Sequence, residues 1–386
     1  MENYKTILQI VPALNVGGVE RGVVEISKFI IENNFRSVVI SSGGRLSFSI
    51  EKSGAKHYTL DVHTKNPLKW KKVRKRIEEI MKEEKIDLIH ATSRVPAWIV
   101  SPLSTKLKVP LITSVHGRFR KGQFLKRIYN SVLLRGDYII AISKYVKNSI
   151  VSLYPTSEPK IKVIHRGVDK NLFDISNISA LRIINQSKEM QVNDDLPVIL
   201  MASRPTLWKG HMILIEALSR VKSKFQCIMI GASDGKEKFK NKLYKNIEKF
   251  NLGGKIRLTS QTNDIQAAYM LGDIIVMPSL DPEPFGRIIV EAQSLGKIVI
   301  GFNHGGASET ISDGETGFLA NPYDPISLAE KIDQALNLKK TERNRISKLA
   351  KKNVQINFTH LKMCLQTFKL YKKCISEHNI NCRKIY

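Results

Sequence analysis

Short apolar runs recur along the chain and alternate with longer stretches of helical periodicity. Each run is short enough to be a buried strand, and most end at a glycine, a proline or a polar residue. The predicted strands cover residues 6–11, 37–41, 88–91, 111–115, 138–142, 197–202, 227–230, 256–258, 274–277 and 298–301. This alternation is typical of a parallel α/β sheet, whose strands are buried on both faces by the intervening helices.

The stretches between these runs carry apolar residues at helical spacing. Amphipathic segments are predicted at residues 19–32, 66–85, 118–135, 211–218, 324–336 and 359–375. A chain of 386 residues is long enough for two domains, each with its own core. We predict one domain at 1–170, a second at 171–358 and a terminal helix at 359–386.

Composition excludes several classes of protein. Hydrophobic residues make up 42% and charged residues 25%, which indicates a globular rather than a disordered chain. No run approaches the roughly eighteen apolar residues of a membrane-spanning helix. The first residues pass straight into a strand without a small-residue cleavage site, so we expect no signal peptide and a cytoplasmic protein. Four cysteines are too few for a disulfide framework.

The positive charge is unevenly distributed. Of the net +27, residues 1–170 supply 31 Lys and Arg against 14 Asp and Glu. Such a surplus suits nucleic acid, an anionic membrane surface or an acidic acceptor. The basic segment at 66–85 is explained by a solvated face over a core-facing stripe. We interpret the second segment, 118–135, as functional because it follows His116-Gly117 and holds Arg118, Arg120 and Lys121 among aromatic residues.

The most informative stretch is residues 278–296, PSLDPEPFGRIIVEAQSLG. Its prolines form a helix-averse loop, and the pattern becomes helical from Phe285. Glu283 is therefore placed at the mouth of the helix, with Glu291 about two turns inside it. Two carboxylates so placed can reach two parts of one elongated ligand. Open backbone N–H groups near Gly286 favour an anion between them.

Two other groups of residues follow predicted strands. Arg204 and Lys209 come after the strand at 197–202 and just before a helix. Open α/β sheets bind ligands at this edge, and two cations there can neutralise a diphosphate. Gly17-Gly18 follows the first strand and also precedes a helix, an arrangement that cradles phosphates. A simple turn explains two glycines equally well.

These segments together resemble the signature of the retaining glycosyltransferases of family 4, which have the GT-B fold. The matching residues are Glu283-Pro-Phe-Gly-x4-Glu291, Gly305-Gly306-x2-Glu309 and Arg204-x4-Lys209-Gly210. The resemblance spans nearly the whole chain and is strongest from 197 to 320. It implies two Rossmann-like, doubly wound parallel-sheet domains that face a donor cleft, with the C-terminal helix packed back on the first domain.

The resemblance also implies an activity. Members transfer a sugar from a nucleotide-diphosphate sugar with retention at the anomeric carbon, without a cofactor, and the absence of an Asp-x-Asp motif here speaks against a divalent metal. Arg204 and Lys209 would stabilise the leaving diphosphate, and Glu291 would hold the ribose hydroxyls. Glu283 would bind the transferred sugar and favour a cation-like transition state. His116 would approach the sugar from the opposite lip.

Further positions follow from the same resemblance. Gly17 and Gly18 would face the donor's phosphates, and Ile265 would lie near the nucleotide base. Phe285 and Gly286 would complete the donor site. The acceptor would be a saccharide or a glycolipid of the cell envelope, such as a lipopolysaccharide core. The protein would then work in the cytoplasm or on the inner face of the cytoplasmic membrane.

The chain departs from the family pattern in one turn. The segment Ile164-His165-Arg166-Gly-Val-Asp169 resembles the family's Ile-Pro-Asn-Gly-Val-Asp type turn, but His165 and Arg166 replace the Pro-Asn pair, which we interpret as tolerance in a loop. Three other functions stay open. A GT-B epimerase would change the donor without an acceptor, and a dehydrogenase would need the G-x-G-x-x-G pattern that is missing here. A nucleic-acid-binding protein would explain the charge, although no known module is visible and we expect no nucleic acid partner.

Overall fold

The structure is a computed structural model that describes residues 4–15, 17–119, 122 and 124–383, the last three of these as backbone only. The described chain divides into two compact units. Unit 1 contains the residues up to Arg166 together with those from His360 onward, and unit 2 contains Gly167–Thr359.

Unit 1 is built on parallel strands. They are β1 (Thr6–Ile10), β2 (Arg36–Ser41), β3 (Lys56–Thr59), β4 (Leu88–Ala91), β5 (Leu111–Val115), β6 (Tyr138–Ala141) and β7 (Ile161–Val163). Among the described residues they form one seven-stranded sheet in the order β3-β2-β1-β4-β5-β6-β7, with every neighbouring pair parallel. The central strands β1, β4 and β5 are buried along their whole length, which explains their unbroken apolar runs.

The helices of unit 1 include the terminal helix of the chain. They are α1 (Gly18–Glu32), α2 (Ser47–Lys52), α3 (Pro67–Glu83), α4 (Arg94–Leu107), α5 (Phe124–Ser131), α6 (Lys144–Val151) and α15 (His360–Arg383). The ring of Phe368 in α15 meets Phe29 of α1 at 5.8 Å and Phe35 at 4.8 Å, both edge to face. The predicted return of the C-terminal helix to the first domain is therefore confirmed.

Unit 2 repeats the parallel design. Its strands are β8 (Val198–Ala202), β9 (Gln226–Ile230), β10 (Ile256–Thr259), β11 (Ile274–Met277), β12 (Ile298–Phe302) and β13 (Phe318–Ala320). The sheet order is β10-β9-β8-β11-β12-β13, again with parallel neighbours throughout the described strands. Its helices are α7 (Ala180–Glu189), α8 (His211–Leu218), α9 (Glu237–Lys249), α10 (Ile265–Leu271), α11 (Arg287–Ser294), α12 (Ala307–Thr310), α13 (Pro325–Leu336) and α14 (Lys340–Asn357).

In each sheet the order of the strands reverses once along the chain. This reversal marks the place where a ligand is expected to bind. The reversal lies between β1 and β4 in unit 1 and between β8 and β11 in unit 2. In doubly wound sheets, ligands bind outside the carboxyl ends of the strands at this switch point. The predicted fold class, two Rossmann-like parallel α/β sheets, is confirmed.

Several element boundaries differ from the predicted ones. The sequence predicts a helix over the basic stretch 118–135, and among the residues described there the α-helix is Phe124–Ser131. Helix α11 begins at Arg287 rather than Phe285, because Gly286 before it takes a left-handed conformation with φ 82°. Within the described ranges, no helix combines the length and the apolar character needed to cross a membrane.

Candidate active site

The carboxyl edge of β8 and β11 carries most of the predicted donor-site residues. The two strands are parallel neighbours, with Ile199 paired to Ile274, so the loops that follow them leave the sheet side by side. The loop after β8 holds Arg204 and Lys209, and the loop after β11 holds Glu283. Cations and a carboxylate therefore meet at the switch point of unit 2.

Close contact between these two loops depends on a glycine. Gly210, which precedes α8, has φ 83°, and a Cβ atom there would lie 1.8 Å from the carbonyl oxygen of Pro278. A side chain at this position would push the two loops apart. The backbone N–H of Leu280 also donates to the carbonyl of Trp208 at 2.7 Å, which ties the loops together.

Lys209 and Glu283 form an ion pair at the centre of this edge. The Nζ of Lys209 lies 2.5 Å from Oε1 of Glu283, and the Oγ of Ser279 donates to the same oxygen at 2.8 Å. The Lys209 ammonium also lies 4.4 Å from the centre of the Trp208 ring. Because Glu283 is only 8% exposed, its charge depends on these partners rather than on water.

The loop that carries Glu283 rests on Gly305-Gly306. The N–H of Gly306 donates to the carbonyl of Glu283 at 2.7 Å. A Cβ on Gly306 would lie 2.3 Å from the carbonyl oxygen of Phe285, and Gly305 has φ 60°. The two glycines of the sequence motif therefore let their backbone pack directly against the loop that carries Glu283.

Phe285 and Gly286 shape the start of α11. The Phe285 ring is buried and packs edge to face on Phe358 at 5.7 Å, so its side chain fixes the loop within unit 2. Gly286 precedes the helix, and no side chain caps the first turn. The N–H of Ile289 already donates to the carbonyl of Gly286 at 3.0 Å, so the groups that could meet an anion are the earlier N–H groups of Arg287 and Ile288.

Glu291 lies further along α11 and is held from two sides. Arg287, one turn earlier, places Nη2 at 2.9 Å and Nε at 3.2 Å from its Oε1 atom. The hydroxyl of Tyr269 donates to Oε2 at 3.3 Å. Burial and the nearby Glu291 charge raise the pKa of Tyr269 well above its ordinary value, so this phenol stays protonated and remains a donor.

A cavity of about 260 Å³ lies beside this edge of the sheet. It brings together two predicted site residues, Arg204 and Ile265, with Tyr269. The other lining residues are Ala202, Ser203, Ile230, Gln261 and Thr262. Tyr269 lines the cavity and also contacts Glu291, so it connects the cavity to that carboxylate.

The segment around Ile265 is fixed by an ion pair. The Nη2 and Nε of Arg182 lie 2.6 and 2.7 Å from the two carboxylate oxygens of Asp264, in a bidentate arrangement. Asp264 also caps α10 by accepting from the N–H of Ala267. The Arg182 bond holds the pKa of Asp264 below its usual value, so the pair stays charged near neutral pH.

In unit 1, Gly17 and Gly18 stand at the start of α1, after β1. Gly17 is extended and forms the cap position without a side-chain hydrogen bond. A Cβ on Gly17 would lie 2.3 Å from Oε2 of Glu20, so a side chain there would displace that carboxylate. The space beside Gly17 is taken by the Glu20 carboxylate, and the phosphate-facing role of this loop stays a prediction.

His116 directly follows β5, also at the carboxyl edge of its sheet. Both of its ring nitrogens are buried and have no hydrogen-bond partner among the described residues. Burial lowers the pKa of His116 well below its ordinary value, and the positive charge of Arg166 lowers it further. His116 is therefore a neutral imidazole at physiological pH.

Of the three predicted basic residues after His116, the structure describes Arg118, whose Nη1 donates to the hydroxyl of Tyr145 at 3.2 Å. Arg120 and Lys121 lie outside the described residues. Over the described ranges, no three His, Cys, Asp or Glu side chains are grouped so that they could hold a metal ion.

Two residues of the site escaped the sequence analysis. Tyr269 belongs to an apolar helix, and nothing in that pattern indicates that its hydroxyl reaches Glu291. His211 begins α8 directly after Lys209-Gly210 and lies 3.3 Å from the Oγ of Ser203. Its position directly after the Arg-x4-Lys-Gly motif could have indicated His211 as a candidate, since polar residues at the carboxyl edge of such a sheet commonly contact the ligand.

Comparisons with known proteins agree with this geometry. The family model for glycosyl transferases group 1 matches residues 183–353, and the model for glycosyltransferase family 4 matches residues 16–172. A glycosyltransferase of Methanocaldococcus jannaschii is 30% identical over 273 residues, which cover 67% of this chain and 68% of that protein.

Solved structures match over almost the whole length. The crystal structure of a glycosyltransferase from Rickettsia africae is 36% identical and has a TM-score of 0.89, covering 97% of this chain and 99% of that one. Anabaena HepE, solved in complex with UDP and glucose, is 22% identical with a TM-score of 0.82, covering 96% and 100%. From the matching motifs, the two sheets and these similarities, we conclude that the chain is an enzyme of glycosyltransferase family 4 with the GT-B fold.

Proposed function

We propose that this enzyme transfers a sugar from a nucleotide-diphosphate sugar to a cell-envelope acceptor, without a metal and with retention at the anomeric carbon. The observation that carries the proposal is the order of groups along the β8–β11 edge. Ile265 and Arg204 line one cavity, Tyr269 joins that cavity to Glu291, and Lys209 contacts Glu283.

This order matches the order of parts in such a donor. The base would lie near Ile265 and the ribose hydroxyls on Glu291, because a carboxylate can accept from two neighbouring donors. Arg204 and Lys209 would hold the diphosphate, and Glu283 the transferred sugar. The bond to be broken joins sugar and diphosphate, so the groups that bind them must be neighbours. Lys209 and Glu283, 2.5 Å apart, meet this requirement.

A nucleotide sugar is further supported by a structural neighbour. Anabaena HepE was solved in complex with UDP-glucose, and its fold covers 96% of this chain with a TM-score of 0.81. For the present enzyme we propose the class of donor, a nucleoside diphosphate linked to a sugar. The particular base and sugar are left to experiment.

The chemical step needs stabilisation of the leaving group. As the bond between the anomeric carbon and the diphosphate oxygen breaks, negative charge grows on that oxygen, and the fixed cations Arg204 and Lys209 stabilise it. The acceptor hydroxyl attacks from the same face, and its proton passes to the departing phosphate. Glu283 favours the positive charge that develops on the sugar. His116, in unit 1, is a further proposed sugar-binding residue, which would contact the sugar as a neutral imidazole.

Two cations can replace a divalent metal in this step. A guanidinium offers two parallel donors to phosphate oxygens, and an ammonium supplies a point charge. Lys209 is held by its ion pair with Glu283, and Arg204 is exposed at the lining of the neighbouring cavity. This is the physical basis of the proposed metal independence.

We place the acceptor and an anionic membrane surface on the basic side of unit 1. Helix α5 exposes large apolar side chains beside Lys126 and Arg127, namely Phe124, Leu125, Ile128 and Tyr129. Apolar residues next to cations suit the interface of an anionic membrane. Arg118, Arg120 and Lys121 precede this helix and are proposed to act with it. A lipid-linked or lipopolysaccharide-type acceptor would be met at such a surface, in the cytoplasm.

The test is release of nucleoside diphosphate from a panel of sugar nucleotides, in the presence of a chelator and with or without a lipid extract. We expect release from one donor, unaffected by the chelator and increased by the extract. Conversion of a donor into a new sugar nucleotide without an acceptor would instead indicate an epimerase. For the membrane surface, equal binding to vesicles with and without anionic lipid would contradict the proposal.

A further inference from the structure

The turn in which the chain departs from its family's pattern contains a buried cation. Arg166 follows the edge strand β7 and is only 9% exposed, although the sequence suggested a tolerant loop. Its Nη2 donates to the carbonyl oxygen of Gly18, and its Nη1 lies 3.7 Å from the sulfur of Met363 in α15. The guanidinium therefore lies inside unit 1, against the start of α1.

Helix α1 has a glycine, Gly22, at the position that faces this guanidinium. A Cβ atom on Gly22 would lie 2.5 Å from Nη1 and 2.8 Å from Nη2 of Arg166. Glycine is a poor residue for a helix interior, so its presence in the second turn of α1 needs a reason. The reason is space for Arg166. The two positions form a complementary pair that holds the helix start and the loop before it in place.

Arg166 also shares a small cavity with His116. The cavity has a volume of about 20 Å³, which is room for about one water molecule. Gln9 and His116 reach it, and neither the Oε1 of Gln9 nor the two ring nitrogens of His116 have hydrogen-bond partners among the described residues. His90 also lines the cavity, but its ring nitrogens are bonded to Tyr371 and Ser114, both at 2.6 Å.

We propose that Arg166 is a positioning residue, which holds the Gly17-Gly18 loop and the side chain of His116 in one arrangement. The proposal rests on the proposed function, since it is the function that gives the loop and His116 their roles. Arg166 reaches the loop through the Gly18 carbonyl and reaches His116 across the cavity. It touches no reacting atom and acts through these two groups.

The charge of Arg166 also affects the protonation of His116, because few other titratable groups face that imidazole. The titratable groups that line the cavity with it are Arg166 and His90, and the hydroxyl of Tyr371 lies behind His90. The cavity residues from α1 and α15 are uncharged: Val19, Gly22, Val23, Ile26, Met363 and Thr367. A fixed cation beside a buried imidazole opposes its protonation. Removing that cation should make His116 easier to protonate.

The first experiment measures His116 directly. The full-length protein is labelled with ¹⁵N-histidine, the His116 signals are assigned with His116→Gln, and the pKa is followed by NMR in wild type, Arg166→Met and Arg166→Lys. We expect the His116 pKa to rise in Arg166→Met and to stay near the wild-type value in Arg166→Lys, which keeps the charge. Arg76→Met is the matched control, because Arg76 is an exposed arginine of α3 paired with Glu79 and Glu83.

The second readout is kinetic. Both Arg166 variants lose the hydrogen bond from Nη2 to the Gly18 carbonyl, so we expect the donor KM to rise about tenfold or more in each, and Arg76→Met to leave it unchanged. An unchanged His116 pKa in Arg166→Met would overturn the proposal, whatever the activity. A raised pKa with an unchanged donor KM would instead overturn the roles assigned to the loop and His116 in the proposed function. If Arg166→Met fails to fold, Arg166→Gln takes its place, and an unchanged His116 pKa in that variant overturns the proposal.

Discussion

The Nζ of Lys209 lies 2.5 Å from Oε1 of Glu283, at a place where the loops after two neighbouring parallel strands meet. The pair is largely shielded from water, since the two side chains are 12% and 11% exposed. In the proposed mechanism, one partner faces the leaving diphosphate and the other faces the sugar. The two sides of the bond to be broken are therefore bound by groups that hold each other in place.

This contact predicts strong coupling between Lys209 and Glu283. Each single change, Lys209→Met or Glu283→Gln, should lower kcat by about 10²-fold, because it removes a transition-state contact and leaves its partner uncompensated. The double variant should lose much less than the product of the two effects. The measurement is kcat at saturating donor for all four proteins.

Lys331→Met serves as the control for that cycle. Lys331 pairs with Asp313 at 3.1 Å on the surface of unit 2, where an ion pair contributes little. Its kcat should equal that of wild type. Strictly multiplicative losses in the Lys209 and Glu283 variants would show that the two residues act independently, against our account.

Glu291 is predicted to act in binding rather than in turnover. Replacement by Gln keeps the shape of the side chain but removes the carboxylate charge that would accept hydrogen bonds from the ribose hydroxyls. The donor KM should therefore rise about tenfold, while kcat stays nearly constant. Steady-state kinetics with varied donor measure both constants. Glu248→Gln, at an exposed position of α9, should change neither. A fall in kcat with an unchanged KM would place Glu291 in the chemical step instead.

Gly306 is predicted to be indispensable to the Glu283 loop. Its φ of −70° is an ordinary value, so Ala is excluded only by space: its Cβ would lie 2.3 Å from the carbonyl oxygen of Phe285. Gly306→Ala should therefore lower both kcat and the melting temperature. Gly253→Ala is the matched control, since a Cβ there meets nothing within 4 Å. Equal behaviour of the two variants in the assay and the melting curve would refute this explanation of the motif.

Buried histidines predict a loss of stability in acid. Burial lowers the pKa of His211 to about 4 and that of His90 to about 3, from an ordinary 6.5. Their folded-state pKa values are depressed, so the unfolded chain binds protons first. The stability is present above pH 6.5 and is lost as the pH falls below it, by up to about 1.4 kcal/mol per pH unit for each histidine.

The measurement is the urea midpoint between pH 7.5 and 4.5. His211→Asn should show a shallower loss of stability with falling pH than wild type. His63→Asn, at an exposed position, should keep the wild-type slope. Parallel slopes in all three proteins would mean that folding does not lower the pKa of His211.

Most central strands of the two sheets could be predicted, because buried parallel strands appear in the sequence as unbroken apolar runs. The runs at 88–91, 111–115 and 274–277 coincide with β4, β5 and β11, since strands covered on both faces are apolar throughout. Edge strands carry a weaker signal. β3 reads Lys-His-Tyr-Thr and is only partly buried, so nothing distinguishes it from a loop.

Helices with unusual composition were also missed. α4 contains Pro102 in its interior, a residue that normally ends a helix. α14 is highly charged and buries only Ile346, Ala350 and Val354, one residue per turn, which is too narrow a stripe to stand out. α4 forms because tertiary packing outweighs the local effect of Pro102, whereas α14 is rich in good helix formers and lacks only a broad apolar stripe.

The sequence proposes candidate site residues only where they follow one another along the chain. Arg204 and Lys209, like Glu283 and Glu291, occur within short motifs whose spacing places them on one loop or helix. Tyr269 joins the site through a contact 22 residues distant in sequence, and Arg166 reaches Gly18 across 148 residues. Such contacts depend on the order of the strands, which local periodicity does not encode.

The central claim is that the β8–β11 edge supplies the positive charge for departure of the diphosphate, and Arg204 tests it most directly. The measurement is nucleoside diphosphate release by Arg204→Ala at saturating donor, with Arg220→Ala, at an exposed arginine after α8, as the control. We predict that kcat falls about 10²-fold in Arg204→Ala and stays at the wild-type value in Arg220→Ala. An unchanged kcat in Arg204→Ala, with or without a raised KM, would contradict the account.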